Sequence, residues 1–352
     1  MLLLIIFRAC QGIGAGAIVP VSRAMVGHLF ETKESRAKAQ SIESSVWGIA
    51  GLLGPFLGGV ILHYFSWRFV FFLNVPLTLT AIILLLIFVD EPSKKQVITL
   101  DYLGSFYLLL ASMTLFGSLY VSDNALIFIL GLITCLSFYL WFQREKKESG
   151  HGLVDIQVLK NKHVLRINLL TLTTGIIAAG VNAYVPLWGQ ELMEMTPLKA
   201  GSLLTPFLIF WTGGTVANTY LIKKWSIKMN LLVGTTFLIV GTLLLNMVMN
   251  FQENMMFFVL ALIGIGMGIT VSSMMIYLQF NAPKNSLGSV MGVNSFVLMM
   301  SKSIGVAFLG AIYGKDLTLF SHGNSFNLIF ALIFILGIQA NYLVRKLPKS
   351  VV

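Results

Sequence analysis

Long apolar runs alternate with short polar connections along the whole of this 352-residue chain. A helix needs roughly 20 consecutive apolar residues to cross a bilayer. Eleven runs meet that criterion, near residues 2–27, 39–62, 68–89, 101–121, 125–142, 166–188, 198–222, 229–250, 254–279, 287–313 and 325–344. In lipid the backbone must satisfy its own hydrogen bonds, so the runs predict an all-α, polytopic helix bundle. Two smaller elements accompany them. Leu153, Ile156 and Leu159 recur at helical spacing among Lys160, Lys162 and Arg166, which predicts a short helix lying on the membrane interface. Asp101 opens the fourth run, where a carboxylate suits an N-cap or the helix dipole.

Composition narrows the class. Hydrophobic residues make up 57% of the chain and charged ones 11%, against about 25% charged in soluble proteins. A soluble globular protein is therefore excluded. The formal charge of +10 is spread as short clusters between runs, a pattern of membrane topology and not of nucleic-acid recognition. One set of connections carries Lys33, Arg36, Lys38, Lys94, Lys95, Arg144, Lys146, Lys147, Lys160, Lys162, Arg166, Lys223, Lys224, Lys228, Lys284, Arg345, Lys346 and Lys349. The opposite set has Arg68, Lys199 and Lys315. By the positive-inside rule the first set and the C-terminus face the cytoplasm, and eleven crossings leave Met1 outside without an export signal before it. Cys10 and Cys135 lie within apolar runs as small packing residues, so neither a disulfide nor a metal site is expected. Gly12-x-Gly14-x-Gly16 follows no strand and is not a dinucleotide loop. With no catalytic triad and no phosphate loop, the chain reads as a non-enzyme without a cofactor.

An internal repeat organises the runs. Gly12-Ile13-Gly14-Ala15-Gly16-Ala17-Ile18-Val19 matches Gly264-Ile265-Gly266-Met267-Gly268-Ile269-Thr270-Val271, and Gly54 through Ile61 echoes Gly305 through Ile312. The offsets are 264 − 12 = 252 and 305 − 54 = 251, so runs one to three pair with runs nine to eleven. Runs six to eight have no upstream counterpart. Transporters are commonly built from paired six-helix halves. Three further spans are then expected before Met1. The predicted organisation is a partial bundle at 1–89, an extra helix pair at 90–150 and a complete six-helix bundle at 151–352.

The second run contains a proline. Pro55 has no N–H to offer the carbonyl of Gly51, and its ring disfavours helical geometry at the preceding residue, here Gly54. Such a break survives in lipid where neighbouring helices or cavity water satisfy the freed group. Ala50, Gly54 and Gly58 share a face on which another helix can approach closely. Two readings follow: a kinked helix beside a transport cavity, or a packing groove with a tolerated kink.

Arg8-Ala9-Cys10-Gln11-Gly12 resembles the R-x-x-Q-G motif in the fourth helix of the major facilitator superfamily. Gly54-Pro55-x-x-Gly58-Gly59 resembles the antiporter motif of that superfamily's fifth helix, with Ala50 where the motif usually begins with glycine. Their spacing, the Arg36-Ala37-Lys38-Ala39 connection, Trp67-Arg68 and the extra helix pair are similar to the fourteen-helix branch of drug:proton antiporters. The resemblance implies family helices 4–6, 7–8 and 9–14. It also implies that the first three helices, with an embedded acidic residue and a G-x-x-x-D-R-x-G loop, are not in this chain. Arg8 and Gln11 inherit a role in proton transfer from it, and the Gly54, Pro55, Gly58, Gly59 set a role in holding the resting state closed.

An arginine stays protonated, so Arg8 is expected to act as a fixed charge on a neighbouring group, or else to snorkel to the surface. Lys302 lies mid-run beside Asn294, Ser295 and Gly305, opposite Gly51 in the repeat. It can exchange a proton, bind an anionic group on a substrate, or snorkel. Every acid is expected at a loop or span end except Glu43, in the first turns of the second run and read as a capping or interface residue. The titrating carboxylate of an antiporter is thus expected elsewhere. Asn182, Trp188, Trp211, Asn218, Tyr277, Gln279 and Asn294 are candidate cavity-lining residues. These features predict a secondary active transporter of the bacterial cytoplasmic membrane. It would export small amphipathic molecules against protons, with lipid, substrate and protons as its partners and no obligate protein partner. Alternatives are a metabolite or siderophore exporter or facilitator of the same fold, and a non-transporting remnant.

Overall fold

A computed structural model describes residues 2–66, 68–88, 101–121, 123–147, 154, 160–248, 253–282, 286–314 and 322–347. Among the described residues there are twelve α-helices and no strands. They are α1 (Leu2–Leu29), α2 (Lys33–Tyr64), α3 (Phe69–Phe88), α4 (Tyr102–Tyr120), α5 (Asn124–Lys147) and α6 (Lys162–Glu191). The short α7 (Pro197–Ser202) leads into α8 (Leu204–Lys224), followed by α9 (Ile227–Val248), α10 (Glu253–Asn281), α11 (Leu287–Gly314) and α12 (His322–Arg345). The predicted interface helix around Leu153, Ile156 and Leu159, with Trp67, Asp90, Glu91, Glu148, Asp155 and Asp316, lies outside the described residues.

Eleven of these helices coincide with the eleven predicted runs. Ten helices are long and apolar enough to cross a membrane by length and composition. In α2 the charged Lys33, Glu34, Arg36, Lys38 and Glu43 fall in the first three turns, and the apolar run follows them. Local chemistry sets several starts. Thr32 accepts from the backbone N–H of Ser35 at 3.2 Å to cap α2, Asn161 accepts from that of His163 at 2.9 Å to cap α6, and Asp101 accepts from that of Gly104 at 2.9 Å to cap α4.

Helix α6 is the hub: 17 of its 30 residues are buried, whereas α3 has no buried residue and touches α2 and Arg8 of α1. It packs on α11 and α12, while α10 is gripped between α8 and α9. Glycines make that grip possible. A Cβ on Gly264 would stand 2.5 Å from the carbonyl oxygen of Phe207, and one on Gly268 would collide with that of Trp211, both on α8. Gly266, on the other side of α10, would meet Gly234 and Leu238 of α9 at 2.9 Å. Without side chains the three backbones touch, and dispersion contacts accumulate where hydrophobic burial gives no preference for protein over lipid.

Buried polar groups tie the helices at chosen heights. Asn218 of α8 accepts from Asn230 of α9 at 3.0 Å and from Ser273 of α10 at 3.1 Å, and donates to Ser272 at 3.1 Å. Asn341 of α12 donates to Thr235 of α9 at 2.9 Å. Helices α4 and α5 form a hairpin joined by the Thr114 and Thr134 hydroxyls, 2.8 Å apart, and by Arg144, whose Nε donates to Asp101 at 2.7 Å.

The ends of α1, α8, α10 and α12 and the starts of α2, α6, α9 and α11 meet at one end of the bundle, hereafter the basic end. There Lys228 donates to the carbonyls of Arg345 at 3.1 Å and Leu347 at 2.5 Å, and Arg166 to that of Lys346 at 2.5 Å. Ala24 and Ala37 join the core of the large bundle here.

Candidate functional site

Between α1 and α2 on one side and α6, α8, α10 and α11 on the other lies a cavity of about 660 Å³. Most of its wall is apolar, including Trp47, Phe207, Leu208, Trp211, Met299 and Val306. Three charged residues line it: Arg23, Glu43 and Lys302. Arg23 Nε stands 3.7 Å from Glu43 Oε1, with the arginine side chain 11% and the glutamate 29% exposed. The guanidinium also donates to Ser295 of α11 at 3.3 Å, and Gln279 of α10 donates to the Arg23 carbonyl at 3.0 Å. One ion pair on α1 and α2 is thereby hydrogen-bonded to the opposite wall.

Beside it the wall is knit tightly. Thr212 of α8 donates to the Ser44 carbonyl at 3.3 Å, and the Ser44 hydroxyl to Thr215 at 3.1 Å. A Cβ on Gly48 would collide with the Thr212 hydroxyl, and one on Gly51 would touch Leu208 at 3.4 Å. Asn294 donates to Asn168 at 3.0 Å and to Thr171 at 2.8 Å, which fixes α11 to α6 at cavity depth.

At the basic end the two sides of the cavity touch. Arg36 donates to the carbonyls of Phe30 at 2.7 Å and Gly27 at 2.8 Å, capping the end of α1, and its guanidinium lies 4.1 Å from the ring centroid of Phe280 on α10. A Cβ on Gly27 would stand 2.6 Å from Leu287 of α11. Further along α2, nothing among the described residues lies within 4 Å of where a Cβ of Gly54 would be.

The structure sorts the candidates named from sequence. Lys302, Asn182, Asn294 and Trp211 line the cavity, and so does Gly51, the repeat counterpart of Lys302. Trp188 instead sits in the apolar core, 1% exposed, and Asn218 is fully buried among α8, α9 and α10. Both lie away from the cavity for the same reason: each is on a helix face turned to protein neighbours. Tyr277 is buried with its hydroxyl 2.7 Å from His163 Nδ1. Gln279 supports the site through the Arg23 carbonyl without lining it. Arg8 and Gln11 are exposed on α1, bonded to each other at 2.9 Å, with the Arg8 guanidinium 5.2 Å from the Phe71 ring, and neither lines the cavity.

Four further differences concern α2 and α1. The helix runs unbroken through Gly54, Pro55, Gly58 and Gly59. Its packed face is Ser44, Gly48 and Gly51, turned away from the expected Ala50 and Gly54, both of which are exposed. Glu43, read from sequence as a capping or interface residue, is instead a wall of the cavity. Arg23 escaped the sequence reading altogether. A basic residue inside an apolar run is the signal that could have found it, but its place in the last turns of the run lets it pass as a helix-end charge.

The fold and this cavity define a multi-pass membrane protein whose helices enclose a central chamber. Its sequence matches the model of the Major Facilitator Superfamily over residues 1–306, and the chain belongs to that family, one of transporters and not of enzymes. It is 28% identical over 319 residues to the multidrug transporter protein MdtP of Bacillus subtilis (strain 168), covering 88% of this chain and 58% of that protein. It is 27% identical over 317 residues to the multidrug efflux pump SdrM of Staphylococcus aureus (strain N315), covering 88% and 69%. The chain thus spans between about half and two thirds of these relatives' lengths. The crystal structure of the human organic anion transporter MFSD10 matches with a TM-score of 0.62 at 13% identity, over 93% of this chain and 67% of that one, a likeness of fold.

Proposed function

We propose that this chain carries out proton-coupled export of small amphipathic molecules across a bacterial cytoplasmic membrane, by alternating access. The observation that carries the reading is the Arg23–Glu43 pair at 3.7 Å in the wall of a largely apolar cavity. An antiporter needs a group that titrates where proton and substrate can both reach it, and Glu43 fills that role. Ionised, Glu43 is held by Arg23. A proton neutralises it, and the freed guanidinium must then find other partners in a low-dielectric wall. That difference between protonation states biases how α1 and α2 sit against α8 and α11. The multidrug names of MdtP and SdrM support the substrate class.

In this reading residues 1–89, an added pair at 90–150, and 151–352 act as separate bodies, the first rocking against the third. The basic end and the C-terminus face the cytoplasm by the positive-inside rule, so the end where the two sides touch is the cytoplasmic one. Gly54, Pro55, Gly58 and Gly59 would then lie on the outer half of α2, where closure must occur. Proteoliposomes with an imposed pH gradient test the proposal with a dye panel that includes ethidium and pyrenebutyrate. Gradient-driven accumulation of at least one dye is expected, with accumulation lost and downhill exchange kept in Glu43→Gln. Equal, gradient-independent equilibration in both proteins would show a facilitator.

A further inference from the structure

The cavity carries two cations against a single carboxylate. Arg23 enters from α1 and Lys302 from α11, while Glu43 is the sole acid among the described lining residues. The two cations belong to one site. Ser295, which takes the Arg23 guanidinium at 3.3 Å, and Lys302 lie seven residues apart on α11, hence on one face about 10 Å apart along the axis. Arg23 and Lys302 also line the same chamber.

Hydrogen bonding shows the same surplus. Arg23 Nε and Gln40 Nε2 are buried donors without a hydrogen-bond partner in this wall, and Lys302, exposed to the chamber, offers three more N–H groups. Against them stand Asn294 Oδ1, an unpartnered acceptor, and Glu43, whose nearer oxygen is beyond hydrogen-bond reach of Nε. Buried donors left unsatisfied are costly, more so when charged. Around this polar patch the surface offered by Trp47, Leu208, Met299 and Val306 is apolar. A cationic ligand would meet net positive charge in a medium that screens poorly. An anion would complete the donor set.

Resting on the reading of this chamber as the transport cavity, we propose that its substrate is an amphipathic organic monoanion, its carboxylate or sulfonate held between Lys302 and Arg23. The apolar body lies against Trp47 and Leu208. Substrate and Glu43 compete for the same guanidinium, so loading and release of the pair are linked.

The test uses three pyrene probes of one shape: pyrenebutyrate, pyrenebutanol and pyrenylbutyl trimethylammonium. Their binding to the protein in lipid nanodiscs is read by energy transfer from tryptophan. Pyrenebutyrate is expected to bind tightest. Lys302→Gln should weaken it about tenfold, the scale of one charged hydrogen bond, and leave the alcohol unchanged, while Lys302→Arg restores the acid. Equal affinities for all three probes, a preference for the ammonium, or equal weakening of acid and alcohol in Lys302→Gln would overturn the assignment. The vesicle assay keeps the two proposals apart. Selective binding of pyrenebutyrate without gradient-driven uptake removes the transport reading and keeps the anion site, whereas ethidium accumulation without acid binding does the reverse.

Discussion

Asp101 sits one residue before its span with its carboxylate buried, and burial by itself pushes a carboxyl's pKa up. The Gly104 N–H at 2.9 Å and the Arg144 guanidinium at 2.7 Å outweigh that push and hold Asp101 below the usual carboxylate range. A depressed folded pKa gives stabilisation that is complete above the ordinary carboxylate value and disappears as pH falls through the lowered one. The α4–α5 hairpin should therefore keep its amide-exchange protection at neutral pH and lose it in acid. Asp101→Asn should show weaker protection at neutral pH and little change on acidification, and identical profiles for the two proteins would contradict the account. This residue was legible in the sequence as a cap because capping is local. Its partner Arg144, 43 residues on, was not.

At the scale of elements, one glycine pattern has two fates. Gly264, Gly266 and Gly268 of α10 each have a neighbouring backbone where a side chain would go, while Gly12, Gly14 and Gly16 of α1 have nothing within 4 Å. The repeat in the sequence was evident from a shared offset. Which copy is gripped depends on the helices beside it, and α8 and α9 flank only the second among the described residues. Gly268→Ala would drive a methyl into the Trp211 carbonyl, and overpacking of that kind costs about 1–3 kcal/mol. Thermal unfolding in nanodiscs should register a clear drop for Gly268→Ala and none outside error for Gly12→Ala. The same logic explains α2, where contact with α8 falls on Gly48 and Gly51: the proline and its glycines marked the helix, but the neighbour chose the face.

For the whole molecule, the contact across the basic end is the feature that alternating access must break. Arg36 makes two carbonyl bonds there and stacks over Phe280, joining the α1–α2 turn to the end of α10. The carbonyl bonds hold the α1–α2 turn together and so place the guanidinium, while the contact with Phe280 crosses to the large bundle and contributes about 0.5–2 kcal/mol, enough to weight a two-state equilibrium. Arg36→Ala is expected to open this end. Spin labels at Glu31 and Asn281 should then report a longer-distance population by pulsed electron resonance, and an unchanged distribution would mean that other contacts hold this end together.

Membrane insertion, helix number and family follow from the chain alone, because apolar length, charge clustering and the Arg8-x-x-Gln11-Gly12 and Gly54-Pro55 patterns act over one helix at a time. The charged cavity does not. Arg23 and Glu43 lie on the first two helices and Lys302 on α11, with eight helices between α2 and α11; Arg23 and Glu43 read singly as helix-end residues, and Lys302 reads equally as a proton-exchanging, anion-binding or snorkelling charge. Only the packing of α1 and α2 against α8, α10 and α11 turns them toward one chamber, where low dielectric and missing partners give three ordinary residues a shared chemistry.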